Sequence, residues 1–376
     1  MSPTHRGDAG TVGEVIRLDL TSDPVDLTAA LVDIPSPSHH EQEIADTVEH
    51  ALHGLSGVEV IRHGNTVAAR TNRGLGSRVI LAGHTDTVPV ADNLPHRLSE
   101  GVMHGCGTVD MKSGMAVYLH NFAVLAQSPE LAHDLTVIAY DCEEVDGRFN
   151  GLGQLAAAHP EWVHGDLALL GEPSGAMIEA GCQGSLRVRV TATGVRAHSA
   201  RSWLGDNAAH KLAAVIGRIA DYQPREVDID GCLYREGINV VKLESFVATN
   251  SIPDEASMLV NYRFAPDRTG PDAQQHLQEV LDLGADMTLE VDDLALAALP
   301  GLHQPAAAAL VKAVGGNVRA KFGWTDVSRF AELGIPAVNF GPGDPGFAHK
   351  RDEQLPVDQV GLVSDQLHKF LVSQPE

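Results

Sequence analysis

Basic residues are scarce in this sequence. Its 376 residues contain 27 lysines and arginines against 50 aspartates and glutamates, so the formal net charge is −23 with histidine neutral. Surfaces that bind nucleic acid or anionic membranes need a positive field, and this balance argues against both kinds of partner. No run approaches 18 consecutive apolar residues. A membrane-spanning helix is therefore not expected.

Cysteine is also scarce. The four cysteines lie far apart without Cys-x-x-Cys spacing: Cys106, Cys142, Cys182 and Cys232. Neither a disulfide framework nor a thiolate zinc site is expected, and a reducing cytoplasm is the expected compartment. The first residues contain no apolar segment of the kind found in secretory signals. Residues 1–13 are predicted to form a flexible tail.

Hydrophobic residues make up 43% of the chain, which is enough for a sizeable core. In the first half, helix-like segments alternate with three short apolar runs that are typical of buried strands. These runs are residues 78–82, 135–140 and 166–170. The alternation predicts an α/β domain whose mostly parallel central sheet is flanked by helices.

The pattern changes near residue 180, where segments begin to alternate apolar and polar residues. Such alternation is typical of a sheet with one solvated face. The order β-α-β-β-α-β over this stretch predicts a smaller α+β domain of the ferredoxin-like type. After Leu294 the α/β pattern resumes. We therefore predict a catalytic domain of residues 14–179 and 295–376, interrupted by a lid and dimerisation domain of residues 180–294.

Polar side chains follow each of the three apolar runs. His84 and Asp86 follow the first run, Glu143 and Glu144 follow the second, and Glu172 follows the third. Open α/β sheets place their functional sites at the carboxyl ends of parallel strands. These side chains are therefore expected to lie near one another.

Each motif also has an ordinary structural explanation. His84 and Asp86 could be satisfied within a loop, the acidic segment of residues 141–146 could be a solvated surface loop, and Asp110 could cap the helix that follows it. His349 lies in a late loop. Together, however, these imidazoles and carboxylates without thiolates suit zinc, cobalt or manganese in a hydrolytic role. Five ligands and a spare acidic residue suit a two-metal site.

The order of these motifs resembles the co-catalytic zinc aminoacylase/carboxypeptidase family, and the resemblance covers nearly the whole chain. The motifs are His84-Thr85-Asp86, Asp110-Met111-Lys112, Glu143-Glu144, Gly171-Glu172-Pro173-Ser174 and Ala348-His349-Lys350-Arg351-Asp352-Glu353. One segment departs from the family pattern, because Cys106-Gly107-Thr108-Val109 replaces the usual Arg-Gly-Ala/Ser. The three residues that follow it are intact, so the metal site is not expected to change.

The resemblance implies two divalent ions, most simply Zn²⁺, with Co²⁺ or Mn²⁺ able to substitute. One ion would be held by His84, Asp110 and Glu172. The other would be held by Asp110, Glu144 and His349, so that Asp110 bridges the pair.

The resemblance also implies catalytic roles outside the metal ligands. Asp86 would orient His84, and Glu143 would be the general base that takes a proton from the bridging water. His198, in the lid, would stabilise the oxyanion, reaching across a homodimer into the partner's site. The reaction implied is hydrolysis of a linear amide in a small N-acyl amino acid.

Two segments, residues 196–203 and 347–353, favour a family member that removes the succinyl group from N-succinyl-L,L-diaminopimelate during lysine and diaminopimelate biosynthesis. The resemblance makes Arg263 a clamp for a substrate carboxylate, although an exposed arginine on a sheet face is the alternative. Further substrate-binding residues that it implies are Asn250, Ser185 and Thr325.

Several alternatives stay open. Acetylornithine deacetylase, aminoacylase and di- or tripeptidase members of the family share the metal ligands and differ in the lid and acyl pocket. A non-catalytic protein of the same fold would have lost a ligand or the base, and all are present. A nucleotide-binding α/β protein is disfavoured because no glycine-rich phosphate motif follows a strand.

Overall fold

The computed structural model describes residues 17–373, and the predicted tail of residues 1–13 lies outside this range. Within it the helices are α1 Pro24–Val32, α2 Gln42–His53, α3 Lys112–Leu125, α4 Gly151–Ala158, α5 Ala208–Asp221, α6 Gly270–Leu281, α7 Pro305–Ala313, α8 Val327–Glu332 and α9 Val357–Leu371. In the same range, no helix has both the length and the apolar character needed to cross a bilayer.

The strands of the described chain are β1 Glu59–His63, β2 Thr66–Arg70, β3 Arg78–His84, β4 Arg97–Ser99, β5 Val102–His104, β6 Asp134–Tyr140, β7 Leu167–Leu170, β8 Ile178–Ala180, β9 Gly184–Thr193, β10 Ala197–His198, β11 Glu226–Ile229, β12 Cys232–Arg235, β13 Gly237–Glu244, β14 Ser251–Ile252, β15 Glu255–Phe264, β16 Met287–Ala295, β17 Val318–Ala320, β18 Ala337–Asn339 and β19 Gln354–Pro356.

An eight-stranded sheet forms the centre of the larger part of the molecule. Its strand order is β1-β2-β6-β3-β7-β18-β8-β17. Strands β6, β3, β7 and β18 run parallel to one another. Three neighbouring pairs are antiparallel, namely β1 with β2, β2 with β6, and β18 with β8. The predicted α/β class with a mostly parallel central sheet is confirmed.

Burial of both sheet faces explains why the strands read as continuous apolar runs. Leu81, Val137 and Leu169 belong to one hydrophobic core, which also contains residues of α1, α3 and α9. Ile80 and Ile138, which point to the opposite face, belong to a second core with residues of α4 and α8. No position in the middle of these strands is left facing water, and the one polar residue of β6 there, Thr136, accepts a hydrogen bond of 3.0 Å from Arg78.

A separate four-stranded antiparallel sheet has the order β13-β15-β9-β16. Its strand β9 alternates buried and half-buried residues, and its buried face packs against α5 and α6. This strand order and the two helices give the ferredoxin-like arrangement predicted for the lid. The boundaries assigned to the lid, residues 180–294, stay a prediction.

The parallel strands direct their following loops to one edge of the central sheet. His84 pairs with Tyr140 at the ends of β3 and β6, and Ala82 pairs with Leu170 at the end of β7. The segments that begin at Thr85, Asp141 and Gly171 therefore leave the sheet side by side. This edge is where an open α/β sheet places its site.

At the opposite edge, the Asp134 carboxylate secures the turn before β3. Its oxygens accept hydrogen bonds from the backbone N–H groups of Arg73 (2.8 Å), Gly74 (3.0 Å) and Leu75 (3.0 Å) and from the Thr71 hydroxyl (2.8 Å). Burial alone would raise the pKa of Asp134, but these donors hold the pKa below its usual value.

We expect Asp134→Asn to lower the free energy of unfolding at neutral pH by about 1–3 kcal/mol, because a carboxamide cannot accept all four hydrogen bonds. Since the folded-state pKa is depressed, the difference should shrink as the pH falls below the usual aspartate value. Urea denaturation measures both effects. The control is Asp365→Asn, at an exposed position of α9, which should change stability by less than about 0.5 kcal/mol. Equal stability of the two variants would contradict this account of the turn.

Candidate metal centre

His84 ends strand β3 with its imidazole buried, 1% exposed. Its Nδ1 lies 3.0 Å from the backbone carbonyl oxygen of Asp86 and 3.4 Å from the Asp86 carboxylate. A carbonyl oxygen can only accept, so Nδ1 carries a proton and Nε2 is directed at Asp110 Oδ1, 3.2 Å away. The ring is therefore held in the tautomer that a metal ligand needs.

The Asp86 carboxylate has a second task that the sequence pattern did not reveal. It is fully buried, and its two oxygens accept the backbone N–H groups of Glu143 (3.0 Å) and Glu144 (3.1 Å). The Ser38 hydroxyl donates a further bond of 2.8 Å. Burial alone would raise the pKa of Asp86, but His84 and these donors lower it. Asp86 therefore fixes both His84 and the backbone of the acidic segment.

Asp110 lies between the two histidines. Its Oδ1 is 3.2 Å from His84 Nε2, and its Oδ2 is 3.2 Å from His349 Nε2. His349 Nε2 is also 2.9 Å from Glu144 Oε1. The alternative role of Asp110 as a helix cap does not apply, because Met111 occupies the N-cap position of α3.

Two groups of donor atoms share Asp110. One atom each from His84, Asp110 and Glu172 lie within 4.8 Å of one another, and so do atoms from Asp110, Glu144 and His349. These are the two ligand sets that the family resemblance implies. Imidazole nitrogens and carboxylate oxygens without thiolates fit divalent ions in a catalytic role, so the residues present fit a two-metal centre.

The electrostatics of the cluster show a shortage of positive charge. Burial and the neighbouring Asp110 charge raise the pKa of Glu172 to about 7. Burial, together with the surrounding carboxylates, raises the pKa of Glu143 well above its usual range. Hydrogen bonds to Asp110 and Glu144 raise the pKa of His349 to about 10. Bound divalent cations would remove this repulsion between carboxylates.

Glu143 is next to the ligands without belonging to either shared set. An oxygen of its carboxylate lies within 4.8 Å of donor atoms of His84 and Glu144. Its backbone is fixed by the bond to Asp86. This carboxylate is thus within reach of both ligand groups.

Five further residues were predicted to bind substrate or to stabilise the oxyanion, namely His198, Asn250, Ser185, Arg263 and Thr325. His198, at the end of β10, is exposed, and Asn250 accepts a backbone bond from Ser199 beside it. Arg263 pairs with Ser185 across β15 and β9. Among the described residues, these four and Thr325 have no side-chain hydrogen bond to the metal cluster. The Thr325 hydroxyl instead donates to Asn339 Oδ1 at 2.9 Å.

Glu353 is a further residue at this site, and no role was predicted for it. Its buried carboxylate accepts the backbone N–H groups of Gly107, Val109 and Asp110. The available sequence signal was its position four residues after His349 in the same motif. Its partners are 243–246 residues away, so no local pattern could identify them.

Residues 80–372, which include all five candidate ligands, match the family described as Peptidase family M20/M25/M40. The chain belongs to this family. Succinyl-diaminopimelate desuccinylase of Corynebacterium glutamicum is 62% identical over 94% of this chain and 97% of its own. The enzyme of the same name from Acidiphilium cryptum is 29% identical over 92% and 96%.

Solved family structures share the fold. Aminopeptidase PepT from Bacillus cereus superposes with a TM-score of 0.76 at 19% identity, covering 93% of this chain and 97% of its own. The YXEP protein of Bacillus subtilis, described as a dinuclear metal-binding peptidase of the M20 family, gives a TM-score of 0.68 at 15% identity, covering 93% and 96%. Both comparisons support the arrangement of a central sheet with a smaller second sheet.

We expect Asp110→Ala to abolish tight binding of both ions, because Asp110 belongs to both ligand groups. The wild-type protein should hold about two divalent ions per chain after dialysis. Elemental analysis of the dialysed proteins measures the difference. The matched control is Asp146→Asn, which changes an exposed carboxylate in the acidic segment of Glu143 and Glu144. This variant should retain both ions. An Asp110→Ala protein that keeps two ions at wild-type affinity would exclude the shared-ligand arrangement.

Proposed function

We propose that this protein hydrolyses N-succinyl-L,L-2,6-diaminopimelate to succinate and L,L-diaminopimelate, a step in lysine and diaminopimelate biosynthesis. The observation that carries the reaction class is the pair of ligand groups sharing Asp110 beside Glu143. The substrate is supported by 62% identity, over 94% of the chain, to a relative named for this activity. The proposed compartment is the cytoplasm, and the four cysteines, all free and buried, are compatible with it.

The proposed ligands are His84, Asp110 and Glu172 for one ion and Asp110, Glu144 and His349 for the other. Zinc is the proposed metal, and cobalt or manganese would substitute because they accept the same nitrogen and oxygen donors. When bound, two such ions polarise an amide carbonyl and lower the pKa of an attacking water.

Glu143 is the proposed general base. It would accept the proton of the attacking water and deliver it to the nitrogen of the leaving amine. Burial holds the pKa of Glu143 above that of a free carboxylate, which suits a group that must both take up and release a proton near neutral pH. The Asp86 bond to its backbone N–H would keep the carboxylate in place during both transfers.

His198 is the proposed donor to the oxyanion. The backbone N–H of Ala200 donates to His198 Nδ1 at 3.1 Å, so the neutral ring carries its proton on Nε2. This exposed Nε2–H can donate to negative charge that develops on the substrate oxygen. Since His198 has no bond to the metal cluster within the described chain, we propose that it acts in the partner's site of a homodimer formed through the lid.

Arg263 is the proposed clamp for a substrate carboxylate. Its half-buried guanidinium has no hydrogen bond or ion pair with any residue of the described chain. The neighbouring Arg187, by contrast, is paired with Asp292 (2.7 Å) and Asp293 (3.4 Å). Burying part of an unpaired guanidinium is energetically unfavourable unless a bound anion forms an ion pair with it. Asn250, Ser185 and Thr325 are proposed as further substrate contacts.

The proposal is tested by comparing hydrolysis of N-succinyl-L,L-diaminopimelate and N-acetyl-L-ornithine after chelation, with and without added zinc. Zinc-dependent turnover of the succinyl compound alone is the expected result. Turnover of the acetyl compound alone would assign the chain to acetylornithine deacetylation with the same metal chemistry. If protein loaded with two ions hydrolyses neither compound, the proposed substrate is wrong. Substrates of aminoacylases and peptidases would then be tested.

We expect Glu143→Gln to reduce kcat by at least about 10²–10⁴-fold while both ions stay bound, because an amide cannot relay the proton. Steady-state kinetics and elemental analysis on the same preparation separate the two effects. Glu130→Gln, at an exposed glutamate, is the control and should behave as wild type. High activity in a metal-loaded Glu143→Gln protein would exclude this residue as the base.

We expect Arg263→Lys to lower kcat/KM for the succinyl substrate by about 10–100-fold, mainly through KM, because lysine cannot form the paired hydrogen bonds of a guanidinium. Arg187→Lys is the control. Arg187 already forms ion pairs with Asp292 and Asp293, so KM should change by less than about twofold in this variant. Equal KM values for the two variants would show that Arg263 does not bind substrate.

A further inference from the structure

The Glu353 carboxylate is buried beneath the loop that carries Asp110, with 2% of the residue exposed. Its Oε1 accepts the backbone N–H groups of Val109 (2.8 Å) and Asp110 (3.1 Å), and its Oε2 accepts that of Gly107 (3.0 Å). The Glu353 carbonyl oxygen also accepts the N–H of Gly105 at 3.2 Å. One residue therefore provides acceptors for four backbone donors of a single loop.

These bonds fix the point from which the Asp110 side chain projects. The Asp110 carboxylate has one oxygen 3.2 Å from His84 and the other 3.2 Å from His349. A shift of the Asp110 backbone would therefore disturb both ligand groups at once. Sites of this kind tolerate displacements of only about 0.5 Å.

Glu353 also fixes the loop that carries His349. The His349 imidazole is half-exposed, with 51% of its side chain accessible, so packing does little to hold it. Four residues later, Glu353 is anchored to the Asp110 loop, and β19 then pairs with β5. Glu353 therefore ties the His349 loop to the Asp110 loop, in addition to the direct contacts of the imidazole with Asp110 and Glu144.

We infer that Glu353 is a positioning residue that sets the geometry of the ligand group formed by Asp110, Glu144 and His349. The inference rests on the ligand assignment proposed above and adds a residue that touches neither ion nor substrate. Its loss should weaken the ion of this group more than the other ion, because Glu353 holds the loops of both Asp110 and His349. The other ion keeps His84 and Glu172, which lie on elements that Glu353 does not contact. A residue that served only the stability of the loop would leave both affinities unchanged.

The test compares Glu353→Gln with Asp134→Asn. Both wild-type carboxylates are buried and accept backbone N–H groups of a loop, but Asp134 lies at the opposite edge of the sheet. In Glu353→Gln the carboxamide NH₂ faces a backbone N–H, so at least one bond is lost. Zinc affinities are measured by competition with a chelator, and the visible spectrum of the Co²⁺-loaded protein reports ligand geometry.

We expect Glu353→Gln to bind one of its two ions about 10–100-fold more weakly, as is usual when a residue that supports a metal ligand is lost. Its Co²⁺ spectrum should change, and kcat should fall with KM nearly unchanged. Asp134→Asn should lose thermal stability yet keep both zinc affinities and the wild-type spectrum. If Glu353→Gln also keeps both zinc affinities and the wild-type spectrum while it loses thermal stability, the inference is overturned.

Glu353→Asp provides a second variant should the glutamine protein fail to fold, because it keeps the charge and shortens the reach by one methylene. A folded Glu353→Asp protein with one weakened ion supports the positioning role, and one with two wild-type affinities overturns it. Failure of the wild-type protein to bind two ions would overturn the ligand assignment itself. That outcome is seen before any variant is compared.

Discussion

The main physical constraint on this structure is the repulsion between carboxylates that lie together at one edge of the buried sheet. Parallel strands bring Glu143, Glu144 and Glu172 to the same place, and the loop before α3 adds Asp110. Buried charges of one sign are unfavourable unless opposite charges or hydrogen-bond donors compensate them. Two histidines already approach these carboxylates within about hydrogen-bond distance, and divalent cations would complete the compensation. The chemistry proposed for this edge follows from that need for cations.

Two carboxylates near the centre stabilise backbone instead of completing a ligand group. Asp86 accepts the N–H groups of the acidic segment, and Glu353 accepts those of the Asp110 loop. Asp134 does the same for a turn at the far edge, where no ligand cluster is found in residues 17–373. The same interaction thus serves stability in one place and ligand geometry in another. Only the surroundings of each carboxylate distinguish the two uses.

Sequence alone predicted the parts of the molecule that leave local patterns. Apolar runs identified β3, β6 and β7, and the polar residues directly after them identified His84, Glu144 and Glu172 as neighbours. Alternation identified the lid sheet, because one face of each strand is solvated. The bonds of Asp86 and Glu353 to distant loops were not predictable, since they join segments 48 to 246 residues apart. The three-residue strands β8, β17 and β18 were too short to show their mixed pairing direction.

The anchoring of the centre by Glu353 also bears on how the chain is synthesised. The acidic segment and Asp110 leave the ribosome long before His349 and Glu353, since His349 follows Glu144 by 205 residues. Until His349 and Glu353 emerge, the nascent chain holds a crowded set of carboxylates without one of its imidazoles and without the bonds that fix the Asp110 loop. Contacts of such high sequence separation form slowly and late. Assembly of the centre is therefore completed only when the segment with His349 and Glu353 docks against the loop before α3.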